Sequence, residues 1–288
     1  MGNSIPASSG DEVPDSDPRQ DRDPERSAED PGHQSTATTT PAEHGSVRKT
    51  WTKTDLVNEL APVHGYRSYL EICTSTTGRL YATVDRDLYT TSHRLMYRCP
   101  DQFEDGFPID FRTPGLDIER HLRVIRSVER KYDVILVDSF HEYETTIRDL
   151  REACDLVQPN GTIIVHDCFP TNEKIVEPRY KVGIWCGVTY KAYIDFVLAA
   201  PRLWFCTVDT DFGCGVIRQR AQSTRYDRVM LPVVAESSKQ LAIQDWKQAG
   251  SDYSKAFRLL QVHATTLLNL VTAEEFLAVE RAGTALFR

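Results

Sequence analysis

Long apolar runs and paired cysteines are both missing from this sequence. No stretch of about 18 apolar residues occurs, so a membrane-spanning helix is not expected. The seven cysteines are scattered, odd in number and without a Cys-x-x-Cys pair, which favours buried, reduced thiols and a cytoplasmic protein. Because no basic stripe interleaved with aromatic residues is present, nucleic acid is not an expected partner.

Large apolar side chains are almost absent from the first 45 residues, which carry ten acidic residues and three arginines. Such a segment buries too little surface to offset the entropy of ordering its backbone. Residues 1–48 are therefore predicted to form a disordered acidic tail. The tail lacks the apolar core of a secretion signal, and its acidity is unlike that of a mitochondrial transit peptide.

Strand and helix patterns alternate after the tail. Continuous apolar runs predict strands, and apolar residues at helical spacing predict helices. The predicted strands are 68–73, 79–84, 132–137, 162–165, 204–209 and 213–217, the last two as a possible hairpin. The predicted helices are 54–60, 89–98, 117–130, 144–157 and 190–198.

This alternation predicts an α/β fold, with a Rossmann-like, doubly wound and mostly parallel seven-stranded sheet over residues 49–218. Residues 219–288 are predicted to form a helical C-terminal extension, which either caps the domain or forms an oligomer interface with a second copy or a partner subunit. In such sheets, ligands bind outside the carboxyl ends of the strands.

Acidic and imidazole side chains follow two of the predicted strands. Asp138 and His141 come after one strand, and His166 and Asp167 come after the next. If the two strands are neighbours, these four side chains surround one cleft, where they can bind a divalent metal and supply a base near neutral pH. The alternative is structural, with aspartates that cap turns and histidines that are hydrogen-bonded in the core.

The same segments, DVILVDSFHEYETTIRDL and NGTIIVHDCFP, resemble the class I S-adenosylmethionine-dependent methyltransferases, in particular the metal-dependent sugar and small-molecule O-methyltransferases. The resemblance implies that Asp138 and Asp167 bind a divalent metal such as magnesium. His166 stands where an acidic metal ligand is usual, and it completes the predicted ligand set. His141 is implied as the catalytic base, with Asp138 and Tyr143 of the same motif as further catalytic candidates.

The glycine-rich turn of that family, which binds S-adenosylmethionine, is altered in this chain. The turn reads EICTSTTG, so Glu71 and Gly78 are retained while Cys73, Ser75 and Thr77 replace the other glycines. Each added Cβ narrows the space for the cofactor. The resemblance implies that Glu71, Cys73, Ser75 and Gly78 bind the cofactor, and that Asp85 binds its ribose hydroxyls.

Substrate-binding residues are implied in the loop that follows the second motif, namely Trp185, Thr189 and Lys191. The alternative for Trp185 is a packed core residue at the start of a helix. The segment 207–215 is interpreted as a glycine-assisted hairpin rather than a calcium loop.

Three functions agree with these patterns. The first is metal-assisted O- or N-methyl transfer to a hydroxylated small molecule in natural-product or polysaccharide biosynthesis. The second is an enzyme that no longer uses S-adenosylmethionine and catalyses another displacement, for example intramolecular amine attack that expels sulfate and forms an aziridine. The third is a non-catalytic scaffold.

Overall fold

The computed structural model describes residues 50–74, 78–99, 102–113, 115, 131–138, 140–219 and 232–285. The side chains of residues 78–80 and 283–285 are not described. The predicted acidic tail and the helix predicted over 117–130 lie outside the described residues.

Eight strands form one sheet in this part of the chain. They are β1 (Ser68–Thr74), β2 (Thr91–Tyr97), β3 (Phe111–Arg112), β4 (Tyr132–Asp138), β5 (Val157–Val165), β6 (Leu203–Val208), β7 (Cys214–Gln219) and β8 (Leu270–Val271). Their order is β3-β2-β1-β4-β5-β7-β6-β8, and all neighbours are parallel except at β7, which is antiparallel to β5 and to β6. The predicted Rossmann-like α/β fold is confirmed, with eight strands rather than seven because β8 pairs with β6.

Six α-helices in the described ranges surround the sheet. They are α1 (Lys53–His64), α2 (Tyr143–Leu156), α3 (Thr189–Ala199), α4 (Glu236–Ala249), α5 (Tyr253–Leu268) and α6 (Ala273–Ala285). A capping box between Thr52 and Asp55 starts α1, and Gly65 in the left-handed conformation ends it. The buried stripe of α2 contains Ile147, Leu150 and Ala153, as its helical spacing predicted.

Two predicted elements between β1 and β4 are wrong. The strand predicted over 79–84 is a 3₁₀ helix, Gly78–Thr83, and the helix predicted over 89–98 is the strand β2. Periodicity cannot separate a short buried strand from a helix segment. The adjacent edge of β1 decides in favour of a strand, because Ser68 to Thr74 pair in parallel with Thr91 to Tyr97.

The C-terminal helices share the hydrophobic core of the sheet. Trp246 of α4 and Leu260 and Leu267 of α5 belong to the same buried cluster as Ile163 of β5 and Tyr193 of α3. None of the helices in the described ranges has the length and apolar content that a membrane crossing requires.

Candidate active site

The carboxyl ends of β4 and β5 bring the two sequence motifs together. Asp138 is the last residue of β4, and the backbone N–H of His166 donates to Val137 O at 3.0 Å. The Nδ1 atom of His166 lies 3.2 Å from Asp138 Oδ1 and 3.3 Å from Asp167 Oδ1. All three side chains are buried. The predicted juxtaposition at the strand ends is therefore present.

Lys53 and Asp211 join this cluster from distant parts of the chain. The Lys53 ammonium, at the start of α1, binds Asp138 Oδ2 and lies 3.2 Å from His166 Nδ1. Asp211 accepts a hydrogen bond from the Lys53 backbone N–H at 3.0 Å, and its Oδ1 lies 3.3 Å from His166 Nε2.

Sequence reasoning missed both residues. The capping signal at Thr52 and Asp55 could predict where α1 begins, but no local pattern indicates which carboxylate Lys53 meets. Asp211 lies in the β6–β7 turn, and that hairpin was predicted correctly from its glycines.

His141 stands on the other side of Asp167. Its Nε2 atom lies 3.4 Å from Asp167 Oδ2, and its Nδ1 atom lies 3.3 Å from the hydroxyl of Thr189. Its backbone carbonyl accepts from Val188 N at 2.8 Å. Gly187 permits this approach, because a Cβ there would lie 2.2 Å from His141 O, and its φ of +55° also favours glycine.

The pKa values of the two buried histidines shift in opposite directions. Burial lowers the pKa of His141 more than Asp167 and Asp138 raise it. Burial also lowers the pKa of His166, but Asp167 and Asp138 outweigh it and raise that pKa to about 10. The Nδ1 atom of His166 lies near oxygens of Asp138 and Asp167 and also near the Lys53 ammonium, and its Nε2 atom lies 3.3 Å from Asp211 Oδ1.

Lys53 and Asp138 form a buried ion pair. Burial lowers the pKa of Lys53, but the negative charge and hydrogen bond of Asp138 more than offset this and raise it. Burial raises the pKa of Asp138, but Lys53 and His166 shift it well below its ordinary value. Both side chains are therefore charged at neutral pH.

A divalent metal is implied by the family resemblance, and three residues are close enough to hold one. Ligand atoms of Asp138, His141 and Asp167 all lie within 4.8 Å of one another, so His141 takes the place predicted for His166. Both oxygens of each aspartate already face nitrogen atoms of Lys53, His166 or His141, so the arrangement does not fit a divalent ion.

The side chains predicted to bind the cofactor divide into two groups. Glu71, in the middle of β1, is buried, and its Oε2 accepts from the Tyr69 hydroxyl at 3.0 Å. Its Oε1 atom has no hydrogen-bond partner and lies 3.9 Å from Arg94 Nε. Cys73 packs against Met96 and Cys99 between the strands, so its side chain occupies the core.

The remaining cofactor predictions have different outcomes. Gly78 begins the 3₁₀ helix, and Ser75 lies outside the described residues. The placement of Asp85 at the ribose end of the second strand is incorrect. Asp85 is exposed and precedes β2, so it lies near the amino end of that strand, and its carboxylate accepts from Asp87 N at 3.3 Å.

Tyr143 and Lys191 belong to a second cluster, away from His141. The Tyr143 hydroxyl donates to Asp195 Oδ2 at 2.9 Å, the Lys191 ammonium binds the same oxygen, and Trp246 Nε1 donates to Asp195 Oδ1 at 2.7 Å. Tyr143, Asp195 and Trp246 line a cavity of about 490 Å³. Both side chains contact Asp195, and the catalytic role of Tyr143 and the substrate contact of Lys191 stay predictions.

Trp185 and Thr189 do lie beside the candidate site. The Trp185 ring contacts the His141 ring at a centroid distance of 5.4 Å, and its Nε1 donates to Glu177 O at 2.7 Å. Only 9% of its surface is exposed, so Trp185 forms a packed wall of the site. On the opposite side, Lys53, Asp211 and Thr83 line a cavity of about 370 Å³, a volume within the usual range for small ligands.

The comparison with protein families adds to this geometry. Residues 72–168 match the family model of a methyltransferase domain. This segment resembles a methyltransferase domain. The match includes Asp138, His141, His166 and Asp167, which confirms the resemblance stated from the two motifs. Lys53 and Asp211 lie outside the matched segment.

Solved structures similar to the methyltransferase-like domain include an O-methyltransferase from Bacillus cereus in complex with SAH (S-adenosylhomocysteine). It is 19% identical, with a TM-score of 0.41, and the match covers 62% of this chain and 82% of that one. The O-methyltransferase TomG from Streptomyces achromogenes, involved in tomaymycin synthesis and solved with SAM (S-adenosylmethionine), is 15% identical. Its TM-score is 0.39, with coverage of 58% and 79%. No curated protein sequence matches this chain.

Proposed function

We propose that the protein transfers a methyl group from SAM to a hydroxyl group of a small molecule, with His141 as the general base. The observation that carries the proposal is the buried imidazole of His141, whose Nε2 lies 3.4 Å from Asp167 Oδ2, at the strand ends where this fold binds ligands. The match of residues 72–168 to a methyltransferase domain supports the reaction class.

His141 has the arrangement that proton abstraction requires. Asp167 is only an acceptor, so it favours the proton on Nε2 of His141 and leaves Nδ1 as the basic nitrogen, next to the Thr189 hydroxyl. An acceptor hydroxyl would give its proton to Nδ1, and Asp167 would stabilise the imidazolium that forms. A positioned base of this kind contributes about 10²- to 10⁴-fold in rate.

The residues around β1 fit a bound cofactor. Glu71 Oε1 is a buried acceptor without a hydrogen-bond partner, which suits a donor group on a ligand. Cys73, the first residue at a lost glycine position, packs its side chain against Met96 and Cys99. When bound, SAM supplies an electrophilic methyl carbon, and Glu71 and the backbone at Gly78 would hold it.

Calorimetry with SAM and SAH tests the cofactor requirement. We expect micromolar binding of both compounds, with SAH also raising the melting temperature of the protein. Absence of binding would contradict the proposal and favour the cofactor-independent displacement considered from the sequence.

The base is tested with His141→Asn, which keeps a polar side chain of similar size but removes the basic nitrogen. SAH release with a panel of sugar, catechol and other hydroxylated acceptors is expected to fall about 10²- to 10⁴-fold. SAH affinity should stay unchanged. His263→Asn, at a partly exposed histidine of α5, is the matched control and should keep full activity.

A further inference from the structure

Lys53 brings a fixed positive charge into the carboxylate cluster. Only 4% of this residue is exposed, and its ammonium binds Asp138 directly. Asp211 accepts a hydrogen bond from the backbone N–H of the same residue. Lys53 is therefore held through its backbone as well as through its ammonium. A buried ammonium without a counter-charge would destabilise the fold. The carboxylates around Lys53 compensate for the burial of its charge.

The Lys53 ammonium already lies among the carboxylates that would bind a metal. It binds Asp138 Oδ2 and lies 3.2 Å from His166 Nδ1, and Asp211 Oδ2 accepts from the Lys53 backbone N–H at 3.0 Å. Hard divalent cations bind through several carboxylate or carbonyl oxygens that are free to coordinate. Here one oxygen of Asp138 faces His166 at 3.2 Å and the other binds Lys53.

We propose that Lys53 is the built-in cation of this site and excludes the divalent metal that Asp138 and Asp167 would otherwise bind. Lys53 also lines the cavity of about 370 Å³. If the metal is excluded, methyl transfer should be insensitive to chelators, and this consequence rests on the proposed function. The exclusion of the metal itself does not rest on the proposed function, because it is measured without any substrate.

The first experiment titrates the full-length protein with Mn²⁺, followed by electron paramagnetic resonance. We expect no specific Mn²⁺ binding to the wild type at millimolar ion concentration. Specific binding that is lost in Asp138→Asn would overturn the proposal, whether or not methyl transfer is ever observed.

The second experiment removes the charge with Lys53→Met, which keeps an unbranched side chain. Mn²⁺ affinity is expected to rise about 100-fold or more, because a positive charge in contact with the ligand carboxylate is gone. The gain should disappear in the double variant Lys53→Met, Asp138→Asn. A folded Lys53→Met protein that binds no Mn²⁺ would overturn the proposal.

Two further variants test whether the gain in Mn²⁺ binding comes from the lost positive charge at Lys53 or from the loss of any buried lysine. Lys191→Met breaks the Lys191–Asp195 pair of the second cluster and should gain no Mn²⁺ binding. Lys53→Arg keeps the charge and should also gain none. If Lys53→Met fails to fold, the wild-type titration and Lys53→Arg still decide, since specific Mn²⁺ binding to either protein contradicts the exclusion.

Discussion

At the residue scale, neighbouring charges decide the direction in which burial leaves the pKa of an acidic group. Glu71 and Asp138 are both almost fully buried, at 2% and 3% exposure. For Glu71, burial is the largest effect, and it raises the pKa to about 7 despite Arg94 nearby. For Asp138, the direct contacts with Lys53 and His166 outweigh burial and lower the pKa. Two carboxylates on neighbouring strands therefore differ in charge because their partners differ.

The raised pKa of Glu71 predicts a pH-dependent stability. The folded pKa of about 7 lies above the ordinary value of 4.5, so folding favours the protonated form. This contribution is fully present below pH 4.5 and is lost as the pH rises towards 7. The glutamine in Glu71→Gln stays neutral, so the stability of the variant should not fall in this way. From pH 5 to pH 8, the free energy of unfolding of the wild type should therefore fall by up to about 3 kcal/mol relative to the variant.

Urea unfolding of both proteins at several pH values measures this difference. Glu144→Gln, at an exposed glutamate of α2, is the control and should follow the wild type. Parallel stability curves for the wild type and Glu71→Gln would show that Glu71 is ionised throughout this range.

At the element scale, a buried ion pair joins α6 to the sheet. Glu280 of α6 has no exposed surface, and its carboxylate accepts from Arg218 Nη1 and Nη2 at 2.7 and 3.2 Å. The same carboxylate contacts His64 at the end of α1. One side chain thus links β7, α1 and α6.

Removal of this carboxylate should destabilise the fold strongly. Glu280→Ala leaves the buried guanidinium of Arg218 without its counter-charge, and we expect a loss of about 3–5 kcal/mol in the free energy of unfolding. The adjacent Arg281 pairs with Glu59 at 2.6 Å but is 54% exposed, so Arg281→Ala should cost about 1 kcal/mol or less. Equal losses in the two variants, measured by denaturant unfolding, would contradict the role of burial.

At the scale of the whole molecule, the sheet and the C-terminal helices depend on one core. Trp246 is 1% exposed, and Leu260 and Leu267 are fully buried in the cluster that includes β5 and α3. Each such side chain contributes about 1.5–3 kcal/mol by burial, while a whole domain is stable by only about 5–15 kcal/mol.

Truncation after residue 219 should therefore prevent cooperative folding, although the strands β1 to β7 are retained. Removal of residues 1–47 should leave the melting temperature unchanged, because that composition predicts no buried core. Circular dichroism melts of the two truncated chains make the comparison. A 1–219 chain that unfolds with the wild-type transition would show that residues 219–288 form a separate unit, as the sequence-based boundary predicts.

The local pattern of the sequence was sufficient for much of the fold. Apolar runs predicted β1, β4 and β5, helical spacing predicted α2, and polar residues after two strands predicted a cluster of Asp138, His141, His166 and Asp167. These predictions succeeded because apolar periodicity directly reflects which side of an element is buried. The prediction for residues 79–98 was wrong because the conformation of a short apolar run depends on whether a neighbouring strand pairs with it.

What the sequence determined by itself was the order of the elements and the four polar residues at the strand ends. Only the tertiary structure decided which charges meet. Lys53 lies 85 positions before Asp138 along the chain, and no periodicity relates the two. The opposite pKa shifts of His141 and His166 and the ion pair of Lys53 with Asp138 all follow from such contacts, since a pKa depends on burial and on neighbouring charges in space.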